Sequence, residues 1–162
     1  QIDEYFVDTM KSYDDKPFCN IATDDLGLES EEEKKETEAK QAEDKELLDF
    51  VKETLGEQVA SVRLSNKLVS SAVCLSTEGG VTLEMERYFR SMPGAPTDIR
   101  AVRVLELNAN HHAYQTMKEA FTAGDKDKAA RIAKILHAQA LLIAGEPLED
   151  PAAYSELVCT LI

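Results

Sequence analysis

Long hydrophobic runs are missing from this chain of 162 residues. The nearest to one, Ala138 to Ala144, lies on a mixed helix and falls far short of the ~20 apolar residues that cross a bilayer, so no integral membrane helix is expected. Cysteine is scarce and odd in number. Cys19, Cys74 and Cys159 are widely spaced, which argues against a disulfide framework and for free thiols in a reducing compartment, the cytoplasm. Positive charge is in deficit, with 18 Lys and Arg against 31 Asp and Glu and a formal net charge of -13. Such a field repels phosphate backbones and anionic lipid, so neither nucleic acid nor a membrane is an expected partner. There is no internal repeat and no glycine-rich phosphate loop. The first residue is Gln1 and nothing resembling a signal peptide follows it, so the chain is read as a piece of a longer protein.

What remains is ordinary globular material, 43% hydrophobic and 30% charged, enough for one domain or for a small domain with the trailing piece of another. Residues 2, 5, 6, 10 and 13 are apolar or aromatic at helical spacing, which predicts a helix over Ile2 to Tyr13, stopped by Asp14-Asp15-Lys16-Pro17. Phe18 to Ile21 fits one short strand. The turn-like run Thr23 to Gly27 marks a boundary between residues 1–27 and 28–162. Ser30 with Glu33 forms a capping box that opens a long helix. Its first half is charged and solvated, with Glu31/Lys35 and Glu36/Lys40 at the favourable i,i+4 spacing. Its second half carries the apolar stripe Leu47, Leu48, Val51 and Leu55 up to a stop at Gly56. Strands are expected around Val59 to Leu64, over Leu68 to Leu75, and over Val102 to Leu107, which make a three-stranded sheet. Thr82 to Met92 is a short helix with Met85, Tyr88, Phe89 and Met92 on one face. Those four are either core or a soft binding surface, since methionine repacks against many shapes. After Asn108-Ala109-Asn110 the chain is helical, with breaks at Ala123-Gly124 and Gly145-Glu146-Pro147.

Ala129, Ile132, Ala133, Ile135, Leu136, Ala140, Leu141 and Ile143 cover more than one stripe of their helix, so a single neighbour leaves part of it wet. Asp150 is a good N-cap, with Pro151 at the first position of a last helix whose apolar set is Tyr154, Leu157, Val158, Leu161 and Ile162. Pattern alone leaves two arrangements open. Both helices finish the core of one chain, or two helices from each of two chains make a four-helix bundle.

Other constellations carry little chemistry. His111 and His112 are adjacent and diverge by about 100° on a helix, a poor metal pair that better suits capping or the surface, and His137 stands alone. Neither Cys74 nor Cys159 shows a nearby base. The acidic run from Glu29 to Glu46 lacks the turn glycine and ligand spacing of a calcium loop. No catalytic, cofactor or metal site is therefore expected in this chain.

Five segments in register carry a resemblance. Val62-Arg63-Leu64-Ser65-Asn66-Lys67-Leu68-Val69, Met85-Glu86-Arg87 and Leu105-Glu106-Leu107-Asn108 resemble the C-terminal domain of the ninety-kilodalton heat-shock chaperones. Ile2-Asp3-Glu4-Tyr5 resembles a helix near the end of that family's middle domain, and Leu148-Glu149-Asp150-Pro151 the start of its last helix. Asn108-Ala109-Asn110-His111 departs from the family's usual Asn-Pro-Asp-His, which touches only the geometry of that turn. The chain stops at Ile162 without the acidic extension of eukaryotic cytosolic members, so it is similar to the bacterial type.

The resemblance implies that residues 1–27 end the middle domain and that 28–162 form a C-terminal dimerisation domain. It implies a homodimer held through Ile132, Ile135, Leu136, Ala140, Ile143, Tyr154, Leu157, Val158 and Leu161. It also implies contact with unfolded client proteins through Met85, Tyr88, Phe89 and Met92. ATP and Mg, and the ATPase activity, are implied only for segments upstream of this chain. The expected architecture is α+β: a long helix, a three-stranded sheet, a short amphipathic helix and a helical dimerisation unit. The residues alone also fit a self-standing acidic adaptor that binds one peptide through the Met85/Phe89 face, and stoichiometry separates the two readings.

Overall fold

A computed structural model describes residues 6–7, 9–19, 31–65, 67–92, 94 and 99–160. The chain forms two compact units, Gln1–Glu29 with Thr77–Val102, and Ser30–Ser76 with Arg103–Ile162. The expected boundary at Thr23 to Gly27, the Ser30 cap and the Ile2 to Tyr5 segment lie outside the described residues.

In the first unit, Phe6, Val7, Thr9 and Met10 are helical, but Tyr13 is not the end of that helix. Ser12–Tyr13 (β1) and Lys16–Pro17 (β2) form an antiparallel hairpin. Asp14 and Asp15 both take positive φ, 50° and 59°, the two left-handed positions of a tight hairpin turn whose twist matches the strands. Of the strand expected over Phe18 to Ile21, Phe18 and Cys19 adopt no regular structure beyond a bond from the Phe18 amide to the Lys11 carbonyl, and Asn20 and Ile21 lie outside the described residues.

The second unit confirms an α+β architecture. Glu31–Glu43 (α1) and Lys45–Leu55 (α2) replace the single long helix expected, with a break at Asp44. Leu47, Leu48, Val51 and Leu55 are buried as their spacing requires, and Gly56, at φ 60°, ends the helix. Lys52 reinforces that end by donating to the Gly56 and Val59 carbonyls. Ser61–Leu64 (β3), Val73–Glu78 (β4) and Val102–Leu107 (β5) form the three-stranded sheet in the order β3-β5-β4, with β3 parallel to β5. The second strand thus starts five residues later than its apolar run, at Val73 instead of Leu68. The Asn108 amide donates to the Ser71 carbonyl at 3.0 Å and the Asn108 N–H to the Ala72 carbonyl at 2.9 Å, which holds the preceding residues as a loop. Val69 is consequently 94% exposed.

Leu83–Ser91 (α3) follows in the first unit. His112–Thr122 (α4), Lys126–Ile143 (α5) and Pro151–Cys159 (α6) complete the second. One face of the sheet, through Leu64, Val73, Leu105 and Leu107, packs in a single core with α2, α4 and α5.

The break at Asp44 has a tertiary cause. Its buried carboxylate accepts from the Tyr114 hydroxyl at 2.6 Å and from the Lys118 ammonium at 2.7 Å. Burial, and then the bond to Asp44, push the Tyr114 hydroxyl far above its usual range, so it remains a donor. Tyr114→Phe removes one bond to a buried charge and is expected to lower stability by about 1.5–3 kcal/mol. Urea denaturation with an unchanged m-value checks it, and a loss below about 0.5 kcal/mol means the carboxylate is held by Lys118 alone.

Candidate interaction surfaces

Helix α5 is built to face two ways. Asp125 accepts from the Lys128 amide at 3.0 Å to start it. Gly145, at φ 72°, closes it with bonds from its own N–H to Leu142 and from Glu146 N–H to Leu141, the paired pattern of a glycine C-cap. Ile132, Leu136 and Ala140 enter the core of their own chain, and Ile135 is buried as well. Leu142 and Ile143 do not follow them, and are 50% and 65% exposed.

Helix α6 begins as its sequence requires. Asp150 accepts from the Ala153 amide at 2.9 Å and Pro151 stands in the first turn, where its missing N–H costs nothing. Yet no residue of α6 is buried. Tyr154, Leu157 and Val158 are only half-buried. Leu161 lies outside the described residues. With the half-buried Leu141, two neighbouring helices of one unit therefore leave six large apolar side chains wholly or partly in water.

Helix α3 in the first unit is graded. Thr82 caps it by accepting from the Met85 amide at 3.1 Å. Tyr88 and Met92 are 47% and 44% exposed, while Met85 and Phe89 are half-buried. The fully buried residue is Glu86, which pairs with Arg90 one turn on and accepts from the Ala101 amide at 2.9 Å. Glu86 was not singled out by the sequence pattern. A carboxylate three residues from Leu83 and from Phe89, with Arg four residues later, was the signal available.

On the sheet, Glu106 accepts from Arg63 at 2.6 Å and from Ser76 at 2.7 Å, tying β3, β5 and β4 together. Burial pushes the Glu106 carboxyl up, but the bonds from Arg63, Ser76 and Ser65 outweigh it and hold the group below its usual range. The Cys74 thiol, 3.8 Å from Glu106, is pushed up to about 11 by burial and then by the Glu106 charge. Such a thiol keeps its proton and is no nucleophile near neutral pH. His111 caps α4 through Nδ1, which accepts from the Ala113 amide at 3.1 Å. Among the described residues no group of three His, Cys, Asp or Glu side chains could hold a metal ion, and no helix is long and apolar enough to cross a membrane.

The Hsp90 protein family model matches residues 1–162. Among curated proteins the chain is 39% identical over 161 residues to the chaperone protein HtpG of Bacillus velezensis and 37% identical over 161 residues to that of Bacillus subtilis. It is 41% identical over 161 residues to that of Halalkalibacterium halodurans. Each alignment covers 99% of this chain and 25% of the relative, so the chain spans about a quarter of the length of the relatives it matches.

Thiol chemistry tests the sheet cluster. In variants that retain one cysteine each, Cys19 should react with a disulfide reagent at neutral pH at least about tenfold faster than Cys74. Denaturant should abolish the difference, and equal rates in the folded chain would show that Cys74 is neither shielded nor raised.

Proposed function

The chain belongs to the Hsp90 protein family, and on that premise we propose that it is the C-terminal homodimerisation region of an ATP-dependent molecular chaperone. It joins two protomers at one end, so that movement of the segments upstream closes a clamp on a client. The observation that carries this reading is the apolar surface of α5 and α6. Leu142 and Ile143 are exposed, and Tyr154, Leu157 and Val158 sit on a helix with nothing fully buried. A second copy of the same two helices covers that surface by two-fold symmetry, as a four-helix bundle. Ile132, Ile135, Leu136 and Ala140 then support the interface from inside each chain.

Unfolded client segments are the second partner. Tyr88 and Met92 offer exposed aromatic and thioether surface on α3, backed by the half-buried Met85 and Phe89. In this reading ATP and Mg bind, and hydrolysis occurs, in the part of the longer protein outside this chain. Three free cysteines suit the cytoplasm as its compartment.

Light scattering over a dilution series should give twice the 18.0 kDa of one chain. Ile143→Asp with Leu157→Asp places four carboxylates in the symmetric interface and should weaken the dimer at least about a hundredfold while circular dichroism stays that of a folded protein. A wild type that is monomeric at tens of micromolar rejects the tether and favours the single-ligand adaptor.

A separate measurement addresses clients. Tyr88→Ser with Met92→Ser should weaken binding of a fluorescent, permanently unfolded protein by about fivefold or more with little change in melting temperature, because both positions are exposed. Unchanged anisotropy titrations would remove α3 from the client surface.

A further inference from the structure

His137 lies on α5 and is 6% exposed. Among the described residues its buried Nε2 has no hydrogen-bond partner, an arrangement that costs free energy in the neutral ring and more in the charged one. The charged groups around it come from two other elements. The charge of Arg103 on β5 acts on it, and so does that of Glu149 in the loop between α5 and α6. Arg103 is itself engaged, with a guanidinium nitrogen 3.5 Å from the buried carboxylate of Glu146 in that same loop. The loop is therefore pinned to the sheet by an ion pair, and the loop delivers α6. Within α5, the charged residue one turn before His137 is Lys134, which is exposed.

We propose that His137 is a proton-sensitive catch on the loop 144–150: neutral, it lets the loop and α6 stay seated, and charged, it releases them. The reason is geometric. An added proton on the ring finds no acceptor at Nε2 among the described residues and is repelled by the charge of Arg103, whose own partner Glu146 is already committed. Glu149 is exposed and compensates only in part. The cheapest relief is for the loop to lift and let water reach the imidazolium.

The direction in pH follows. Burial first, and the Arg103 charge second, hold the His137 ring below its usual range, against a smaller opposing pull from Glu149. The unfolded or released state, with an ordinary value near ~6.5, binds the proton more readily. The contribution to seating is thus complete above ~6.5 and is lost as pH falls from there through the folded value. Release would also weaken the dimer, an extension that rests on the proposed tether; the catch itself concerns one chain and does not.

Hydrogen exchange of the whole chain, corrected for intrinsic rates, tests it at pH 7.5 and pH 5.5. Protection of residues 146–158 in the wild type should fall at least fivefold at the lower pH, and in His137→Phe it should not. Equal pH dependence in both chains, or none in the wild type, overturns the proposal. An NMR titration of the His137 ring in the unmodified protein guards against a variant that folds poorly. The α6 amides should shift with the same midpoint as the ring, below that of an exposed histidine, and a ring that titrates near the ordinary value with α6 unmoved would falsify the catch.

Discussion

Leu105 and Leu107 of β5 are sealed in a core with α2, α4 and α5, and the second unit is arranged around keeping those side chains dry. A central strand leaves no edge of its own unpaired, because β3 and β4 flank it. Strand periodicity of two then places Glu106 on the opposite face from the two leucines. A carboxylate there, only 6% exposed, is tolerable because Arg63 and Ser76 reach it from the strands on either side. The polar cluster on one face is thus a consequence of the apolar demand on the other. The same logic accounts for Asn108, which follows the last buried leucine and uses its amide to fix the loop before β4.

Legibility in the sequence followed how local the cause was. Helix ends were readable because their determinants lie within a turn of the break, as with Gly56, Gly124, Gly145, Asp150 and Pro151. The apolar stripe of α2 and the strands around Val62 and Val104 were readable for the same reason. What failed was set from a distance. The run Leu68 to Leu75 has a strand's composition, but a side chain nearly 40 residues away bends its first half into a loop. The break at Asp44 depends on Tyr114 and Lys118, 70 and 74 positions further along, and no helical propensity signals it. The hairpin at Asp14-Asp15 uses two aspartates where Asn-Gly or Asp-Gly is the usual signal.

The candidate surfaces divide in the same way. That α5 has more apolar surface than one neighbour can cover was evident from its pattern. Which part of it stays outside was not, since Ile132, Leu136 and Ala140 are claimed by α2, α4 and the sheet, whose positions are a tertiary fact. Helix α3 shows the converse, since a stripe that reads as uniform divides into an exposed pair and a half-buried pair around the Glu86 anchor. His137 carried no signal at all, because a lone histidine becomes informative only when its surroundings are known.

The distribution of burial also separates what holds the second unit together from what it offers to others. Apart from Val59, just before β3, the sheet, α2, α4 and the first two-thirds of α5 hold the fully buried large side chains, and α6 holds none. Hydrophobic stabilisation scales with area removed from water, so α6 adds little to the stability of a single chain. Its capping bonds and starting proline shape it as a helix without supplying that burial. A helix so well formed and so poorly covered can be removed from its own chain cheaply and gains most from a surface that comes from elsewhere. A partner's packing on α6 therefore meets little resistance from α6 itself, and what holds the helix to its own chain is chiefly the loop that Arg103 and Glu146 tie to the sheet.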